Sequence, residues 1–370
     1  MKSFALFIVF PILWASQSGL ALPHLSNATT LRLVHVIFRH GDRNPDSASL
    51  IPNSPYYNES YYPEGFGQLT KAGKRKQYRM GLRLRQLYNT FLTDTWNINY
   101  LEARSTNVNR TKMSLELVLA GLYPPKKQQV WSHLPWQPIP YNYPSSGDQE
   151  TQPWVVCGTS FKALLTELLA SDEIVAYEKR YKELLSILEN RTGLPNLTLN
   201  DAFNYYFGFA TQLEIGYTLE SWTSQIFPEP LHSAAVDYYY YVTNNTAIRR
   251  LSAGFLIRKI LADTKAKING TLSPSSRKLF LYSGHELNIA STLLTLDAYK
   301  LTDIPPYGSH IIFEVHEISG VWGIKLFYQN YLEYDPILLT IPGCDYFCPY
   351  DEFYRLVEEI LPLPDTECLQ

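Results

Sequence analysis

The stretch LRLVHVIFRHGDRNP, residues 31–45, gives the strongest indication of the fold. Its first part, Leu31 to Phe38, is dense in apolar and β-branched side chains, which predicts a central strand covered on both faces. Gly41 and Pro45 then break the strand. Charged side chains follow the strand directly, so we expect them at the carboxyl edge of a sheet, where open α/β sheets bind ligands.

In two later segments a predicted strand leads into a predicted helix. The apolar run KLFLYS, residues 278–283, leads into Gly284, His285 and Glu286, and a helical pattern follows. A shorter extended segment near residues 99–104 ends at Arg104, again before a helical pattern. Alternating strands and helices predict an α/β fold with a mostly parallel central sheet flanked by helices.

The middle of the chain has a different pattern. Residues 160–201 have apolar side chains at helical spacing and no convincing strand. We therefore expect an inserted helical cap at 155–250 that covers the site. The α/β core would then consist of residues 22–154 and 251–370.

The composition limits the classes of partner. The chain has 370 residues, 45% of them hydrophobic, which supports a large folded core. Its formal net charge is −3, from 32 basic and 35 acidic residues, which gives no reason to expect a nucleic acid or an anionic membrane as partner. Any positively charged site must therefore be local.

The N-terminal segment predicts export. Lys2 precedes an apolar run from Phe4 to Ala15, and small residues end the segment near Ala21, so residues 1–21 fit a removable signal peptide. Pro11 breaks the run, which is also too short for a stable membrane anchor. We expect a secreted, extracellular product, and seven glycosylation sequons agree with that: Asn27, Asn58, Asn109, Asn190, Asn196, Asn244 and Asn269.

The four cysteines, Cys157, Cys344, Cys348 and Cys368, favour disulfides in an oxidising compartment. Three pairings are possible from the sequence. Cys344 and Cys348 could close a tight loop, which would leave Cys157 to tie the middle of the chain to its end. A zinc site is the rival interpretation, although its ligands would be one C-x3-C pair and two isolated cysteines.

Arg39, His40 and Arg43 form the first candidate for chemistry. They place an imidazole between two guanidinium groups, a costly concentration of positive charge unless an anion binds there. The neighbouring cations should lower the pKa of His40 and keep it neutral and nucleophilic. The alternative is a surface turn held by salt bridges, and composition alone does not exclude it.

RHGDRNP, residues 39–45, matches the RHGxRxP signature of the histidine acid phosphatases, a branch of the histidine phosphatase superfamily. The chain resembles this family in further stretches, in the family's order and over essentially the whole mature chain. The tyrosine-rich sequence also looks like that of secreted insect and venom acid phosphatases. The stretches are GFGQLTKAGKRKQY, ARSTNVNRT with AGLYPP, LPWQPIP, YSGHELNIASTLLTLDAY, PPYGSH, and IPGCDYFCP with TECLQ.

The resemblance implies a role for each matching residue. His40 would be the nucleophile that forms a phosphohistidine, and the phosphoryl group would be held by Arg39, Arg43, Arg104 and His285. Fixed cations of this kind meet the charge of the transferring group directly, so the resemblance implies no metal ion and no cofactor. Asp42, inside the motif, is expected to pair with one of the arginines.

The chain departs from the family's usual pattern at Glu286, where aspartate is most often the proton donor. Glutamate carries the same acid on a longer stem, so we expect Glu286 to protonate the leaving oxygen. The alternative is a helix-start glutamate stabilised by the helix dipole. The resemblance also implies disulfides Cys344–Cys348 and Cys157–Cys368, and a possible homodimer.

The sequence therefore predicts a secreted acid phosphatase that hydrolyses small phosphate monoesters. Two rivals stay open. One is a phytase-like relative. The other is a catalytically impaired glycoprotein of the same fold that binds a partner, because a fold does not guarantee turnover.

Overall fold

The structure is a computed structural model that describes residues 29–145, 148–169, 171, 175–176, 179–362 and 368. The predicted signal peptide at 1–21 and the sequon at Asn27 lie outside these residues. Among the residues described, no helix has both the length and the apolar character needed to cross a membrane.

The described strands form one seven-stranded sheet, in the order β2-β3-β1-β4-β5-β6, with β7 paired to β5. The strands are β1 (Leu31–Arg39), β2 (Leu101–Ser105), β3 (Leu279–Gly284), β4 (His310–Ile318), β5 (Val321–Gln329), β6 (Ile337–Leu339) and β7 (Cys348–Pro349).

The predicted α/β fold is confirmed, and its parallel part is the core that carries the site. β1 and β2 each pair parallel to β3. The sheet as a whole is mixed, because β4 to β7 join it antiparallel. β4 and β5 are joined across Ser319 and Gly320, both with positive φ, and such a two-residue turn allows only an antiparallel pair.

Helices flank the sheet and fill the segment between β2 and β3. They are α1 (Lys71–Leu87), α2 (Asn109–Leu122), α3 (Pro153–Val156), α4 (Gly158–Leu169), α5 (Lys182–Thr192), α6 (Leu199–Glu214), α7 (Leu231–Tyr241), α8 (Thr246–Arg249), α9 (Phe255–Ile268), α10 (Glu286–Thr295) and α11 (Tyr350–Val357). A π-helical segment, Arg250–Gly254, joins α8 to α9.

Both faces of β1 are buried, as its apolar run predicts. Leu33 and Ile37 pack in the cluster that includes α9 and α10, whereas Val36 and Phe38 pack in the cluster formed with α1 and α2. Alternate side chains of a strand point to opposite faces, so a strand between two helical layers needs apolar residues at both sets of positions. β1 ends at Arg39, so His40 is the first residue beyond the carboxyl end of the strand.

The helices between β2 and β3 have a core of their own, to which α5, α6 and α7 contribute. They also pack on the sheet layer, because Phe203 and Phe207 of α6 belong to the main core cluster. The division into a core and a cap at 155–250 stays a prediction. What the packing establishes is that α6 lies against the layer that carries the site.

The two disulfides implied by the resemblance are confirmed. Cys157 bonds to Cys368, and Cys344 bonds to Cys348. All four cysteines are therefore engaged, which removes the ligands of the rival zinc site. Cys157 is fully buried, so the long-range bond is anchored in the core.

Candidate active site

The carboxyl ends of β1 and β3 bring two histidines together. Arg39 and Gly284 are paired in the parallel register, and the backbone N–H of His40 donates to the carbonyl oxygen of Gly284 at 3.0 Å. His285 follows Gly284 directly. The two imidazole rings therefore lie edge to face, with their centroids 5.6 Å apart and an angle of 75° between their planes.

Two hydrogen bonds fix the tautomer of His40. Its Nδ1 lies 2.8 Å from the carbonyl oxygen of Gly41, which can only accept, so Nδ1 carries the proton. The Nε–H of Arg110 lies 3.1 Å from Nε2 and can only donate, so Nε2 holds a lone pair. Both contacts select the neutral tautomer whose Nε2 is free to act as a nucleophile.

Close backbone packing holds the loop after β1. A Cβ at Gly41 would lie 2.6 Å from the carbonyl oxygen of Gly73 in α1, so no larger residue fits at this position. The N–H of Gly41 donates to the hydroxyl of Ser114 in α2 at 3.1 Å. The Thr70 hydroxyl accepts from the N–H of Gly73 and so caps the start of α1 beside this loop.

Arg39 is held in place on three sides. Its Nη1 donates to the carbonyl oxygen of Pro305 at 2.7 Å, and its Nε lies 3.2 Å from Oε2 of Glu286. The guanidinium carbon lies 3.9 Å from the ring centroid of Tyr307, a cation–π contact. The charge of Arg39 thus stays directed at the space next to His40.

Arg39 and Arg43 also have buried donors that no described residue satisfies. These are Nη2 of Arg39 and Nε of Arg43. Buried polar atoms in proteins are almost always hydrogen-bonded, and unpaired guanidinium donors that face a common space indicate a site for an anion. A phosphate group offers oxygens that could accept from both.

Arg110 lies in the first turn of α2 and completes the ring of positive charge. Its Nη1 lies 3.3 Å from Oδ1 of Asp46, and the other oxygen of Asp46 lies 3.2 Å from Nη1 of Arg43. One carboxylate therefore holds two guanidinium groups. The start of a helix adds positive potential at the same place.

Arg104 does not lie where the sequence interpretation expected it. Its Nε donates to Glu102 at 3.0 Å, and its Nη1 lies 3.5 Å from Glu150. Residues two apart in a strand share a face, so Arg104 of β2 lies beside Glu102, and it is not among the cations that lower the pKa of His40. The structure brings Arg110 to the site in its place.

His285 and Glu286 begin α10. Nε2 of His285 lies 3.1 Å from the hydroxyl of Thr106, which lies 2.7 Å from the hydroxyl of Thr111. Asn288 accepts a hydrogen bond from the N–H of His285 at 2.9 Å and so caps the helix. Glu286 is thereby directed at Arg39.

Burial and positive charge set the ionisation of the site. Burial, then Arg110 and Arg39, hold the pKa of His40 well below its usual value. Burial, then Arg110, lower the pKa of His285 to about 3. Burial raises the pKa of Glu286, but Arg39 and His285 outweigh it, so that this pKa lies below the ordinary value. Both histidines are therefore neutral at mildly acid pH.

A metal ion does not fit this donor set well. Among the described residues, the ligand atoms of His40, His285 and Glu286 form the one group close enough to hold a metal, all within 4.8 Å of one another. Three arginines face the same space and oppose a divalent cation. The independence from metals stays a prediction, and we derive no step through a metal.

The partner of Asp42 is not the one expected from the sequence. It pairs with Lys76 of α1 at 2.9 Å rather than with an arginine. The sequence interpretation also missed Arg110, Asp46 and Tyr307. For Arg110 a signal was present, because the stretch ARSTNVNRT offers two arginines, and the second falls where a helix begins beside the sheet edge.

A neutral histidine among three arginines, at the carboxyl edge of an α/β sheet, is the arrangement expected of phosphoryl-transfer enzymes that position and stabilise phosphate by charge. Residues 30–328 match the model of the histidine phosphatase superfamily (branch 2). The chain belongs to this family.

Curated relatives agree with this assignment. The chain is 36% identical to venom acid phosphatase Acph-1 of Apis mellifera, over 90% of this chain and 86% of that protein. It is 32% identical to human prostatic acid phosphatase, over 98% of this chain and 92% of the relative. Lysosomal acid phosphatase of Xenopus laevis is also 32% identical, over 91% of this chain and 78% of that protein. The predicted acid phosphatase is confirmed.

Solved structures show the same fold at low identity. Hafnia alvei phytase in complex with myo-inositol hexakis sulphate superposes with a TM-score of 0.67 and 18% identity, covering 92% of this chain and 98% of that one. The phytase from Citrobacter braakii gives a TM-score of 0.66 at 19% identity, covering 91% of this chain and 99% of that one. These likenesses establish the fold and leave the substrate open.

Proposed function

We propose that this acid phosphatase hydrolyses small phosphate monoesters through a phosphohistidine on Nε2 of His40. The observation that carries the proposal is the proton on Nδ1, held by the carbonyl oxygen of Gly41, which leaves the Nε2 lone pair directed at the arginines. The unsatisfied donors of Arg39 and Arg43 support a phosphate in the same space.

In the first half-reaction, Nε2 of His40 attacks phosphorus while the bond to the leaving alcohol breaks. Arg39, Arg43 and Arg110 stabilise the charge on the three equatorial oxygens, and His285 contributes a further polar contact. The same Nε2 lone pair accepts the hydrogen bond from Arg110, so Arg110 must turn toward the phosphate before attack. In the second half-reaction, water attacks phosphorus and releases His40.

Glu286 is the proposed proton donor to the leaving oxygen. Its pKa is lowered by Arg39 and His285 in the free protein, which favours the carboxylate. A bound phosphate dianion acts in the opposite direction, because it adds negative charge between Glu286 and the arginines and raises this pKa. Substrate binding and acid pH together would therefore supply the protonated form, and the carboxylate could then assist the attacking water.

The product is further proposed to be a secreted glycoprotein. The signal-peptide pattern at 1–21 and the venom relative support export, and several sequon asparagines, such as Asn58, Asn190 and Asn269, are exposed. Lysosomal relatives make the lysosome the rival destination. Expression in insect cells, with N-terminal sequencing of the protein from the medium, distinguishes secretion from delivery to the lysosome.

A homodimer stays a prediction, and light scattering of the purified protein measures its oligomeric state.

Hydrolysis of an aryl phosphate by the purified protein, with and without a chelator, tests the proposal beside His40→Ala. We expect turnover at acid pH that a chelator leaves intact and that His40→Ala abolishes. If the folded wild type is inert, the binding-protein alternative replaces this function. If inositol hexakisphosphate is hydrolysed far faster than simple esters, the phytase alternative replaces the proposed function.

A further inference from the structure

Helix α6 brings one acidic side chain toward the phosphate site. The ring of Phe207 lies 5.3 Å from the guanidinium carbon of Arg39 and 5.8 Å from that of Arg43. Glu214, the last residue of α6, follows seven residues later. Two helical turns return a side chain to nearly the same face, about 10 Å along the axis. Glu214 therefore lies on the face of α6 that also carries Phe207, near enough for its charge to act on Arg39 and Arg43, and we call this place the rim of the site.

The groups around Glu214 come from several elements. Its carboxylate interacts with Arg39, Arg43 and Lys76 and is repelled by Asp42. Burial, together with Asp42, raises its pKa in spite of these cations. Tyr206 and Tyr307 are affected by its charge as well.

Glu214 nevertheless has no hydrogen bond or ion pair with any residue in the part of the chain that the structure describes. Asp42 takes Lys76, and Asp46 takes Arg43 and Arg110. The side chain of Glu214 keeps much of its surface in contact with solvent, although the protein packed around the carboxylate is dense enough to raise its pKa. Its charge is thus available to a bound molecule.

An unpaired carboxylate at this place has a clear electrostatic effect. It opposes the binding of any anion, so it weakens the attraction that the arginines exert on phosphate. It opposes a polyanionic substrate most, because further negative groups would extend toward the rim. It stabilises a substrate whose leaving group carries positive charge.

We propose that Glu214 is a specificity-determining residue that favours phosphomonoesters whose leaving alcohol carries an ammonium group. The inference rests on the proposed function and names a substrate class for the same site. The phosphate would bind between Arg39, Arg43 and Arg110, and the ammonium group would lie against Glu214 at the rim.

The test uses ω-aminoalkyl phosphates with two to six carbons, each paired with the hydroxyalkyl phosphate of equal length. The measured quantity is the ratio of kcat/KM for the amino ester to that for the hydroxy ester. In the wild type the ratio should exceed one for the lengths that reach Glu214. Near pH 6.5, where more of the carboxylate is ionised than near pH 4.5, it should be larger.

Glu214→Gln keeps the shape of the side chain and removes the charge. The ratio should fall about fivefold at the preferred length, as expected for one solvent-exposed charge pair. Turnover of the hydroxy esters should stay within about threefold, and an alkyl bisphosphate should be hydrolysed better than by the wild type. Glu220→Gln, an exposed glutamate beyond the end of α6, is the matched control and should leave every ratio unchanged.

A ratio that Glu214→Gln leaves unchanged at every length overturns the inference, while hydrolysis of the hydroxy esters would still support the proposed function. If neither series is hydrolysed by the folded wild type, the proposed function fails and the inference fails with it.

Discussion

The Nε–H of Arg110 donates to Nε2 of His40 at 3.1 Å, so a residue in the first turn of α2 directly contacts the proposed nucleophile that follows β1. Arg104, six residues earlier, is paired with Glu102 and Glu150 instead. Arg110 of α2, and not Arg104 of β2, is thus the arginine from this stretch that reaches His40.

Arg110→Gln should lower kcat/KM for an aryl phosphate by about 10²–10³, since it removes one preorganised donor to the transferring group. Arg104→Gln is the matched control, and its kcat/KM should stay within about threefold of the wild type. The thermal midpoints of both variants show whether folding is intact. An equal loss of kcat/KM in the two variants would mean that Arg104 also acts in the site.

Asp46 is predicted to be a positioning residue, because its carboxylate holds Arg43 at 3.2 Å and Arg110 at 3.3 Å. Asp46→Asn should lower kcat/KM about tenfold and should have little further effect once Arg110 is glutamine, since the two residues act as one unit. Gly67→Ala should act in the same direction, because its Cβ would lie 2.3 Å from Oδ1 of Asp46. Additive losses in the double variant would contradict this role.

Glu286→Gln should depend on the leaving group. Alkyl phosphates leave as basic alkoxides and need a proton, so their kcat/KM should fall about 10²–10⁴. An aryl phosphate with an acidic phenol should lose about tenfold or less. Glu286→Asp tests the length of the stem and should restore part of the loss. Equal losses for both kinds of ester would mean that Glu286 holds Arg39 and does not donate the proton.

Acid pH should destabilise the fold through the buried His310. Burial lowers its pKa to about 4, and its Nδ1–H donates to the carbonyl oxygen of Gly308. The unfolded chain, with a histidine pKa of about 6.5, binds a proton that the folded chain excludes. The free energy of unfolding should therefore decrease by about 2–3 kcal/mol between about pH 6.5 and pH 4 from this group alone.

Urea unfolding across this range, with the disulfides intact, measures the effect. His310→Asn keeps a donor for Gly308 and should flatten the dependence, whereas the exposed His133→Asn should not. An unchanged slope in His310→Asn would show that other groups cause the loss.

The sequence predicted what depends on local pattern. The continuous apolar run of β1 requires burial on both faces, and RHGDRNP and YSGHELN place His40 and His285 after adjacent strands. It did not predict the antiparallel half of the sheet, which depends on the short turn at Ser319 and Gly320. It also assigned Arg104 instead of Arg110, because the stretch ARSTNVNRT that resembles the family holds two arginines, and only the fold shows that the first lies in β2 and the second in the first turn of α2.

Long-range pairings also lay beyond the sequence. Lys76 and Asp42 are separated by 34 residues, and Glu214 approaches Arg39 only after α6 has packed on the sheet layer. No local pattern encodes such contacts, because they arise when whole elements pack together.

Trapping of the covalent intermediate tests whether the reaction passes through a phosphohistidine on His40. The enzyme would be mixed with an aryl phosphate at acid pH, quenched in alkali within milliseconds and digested, and the phosphorylated peptide would be sequenced by mass spectrometry. We expect one phosphohistidine, at His40 and on Nε2, and its absence in His40→Ala. A phosphoryl group on Nδ1 or on another residue, or turnover without any covalent intermediate, would contradict it.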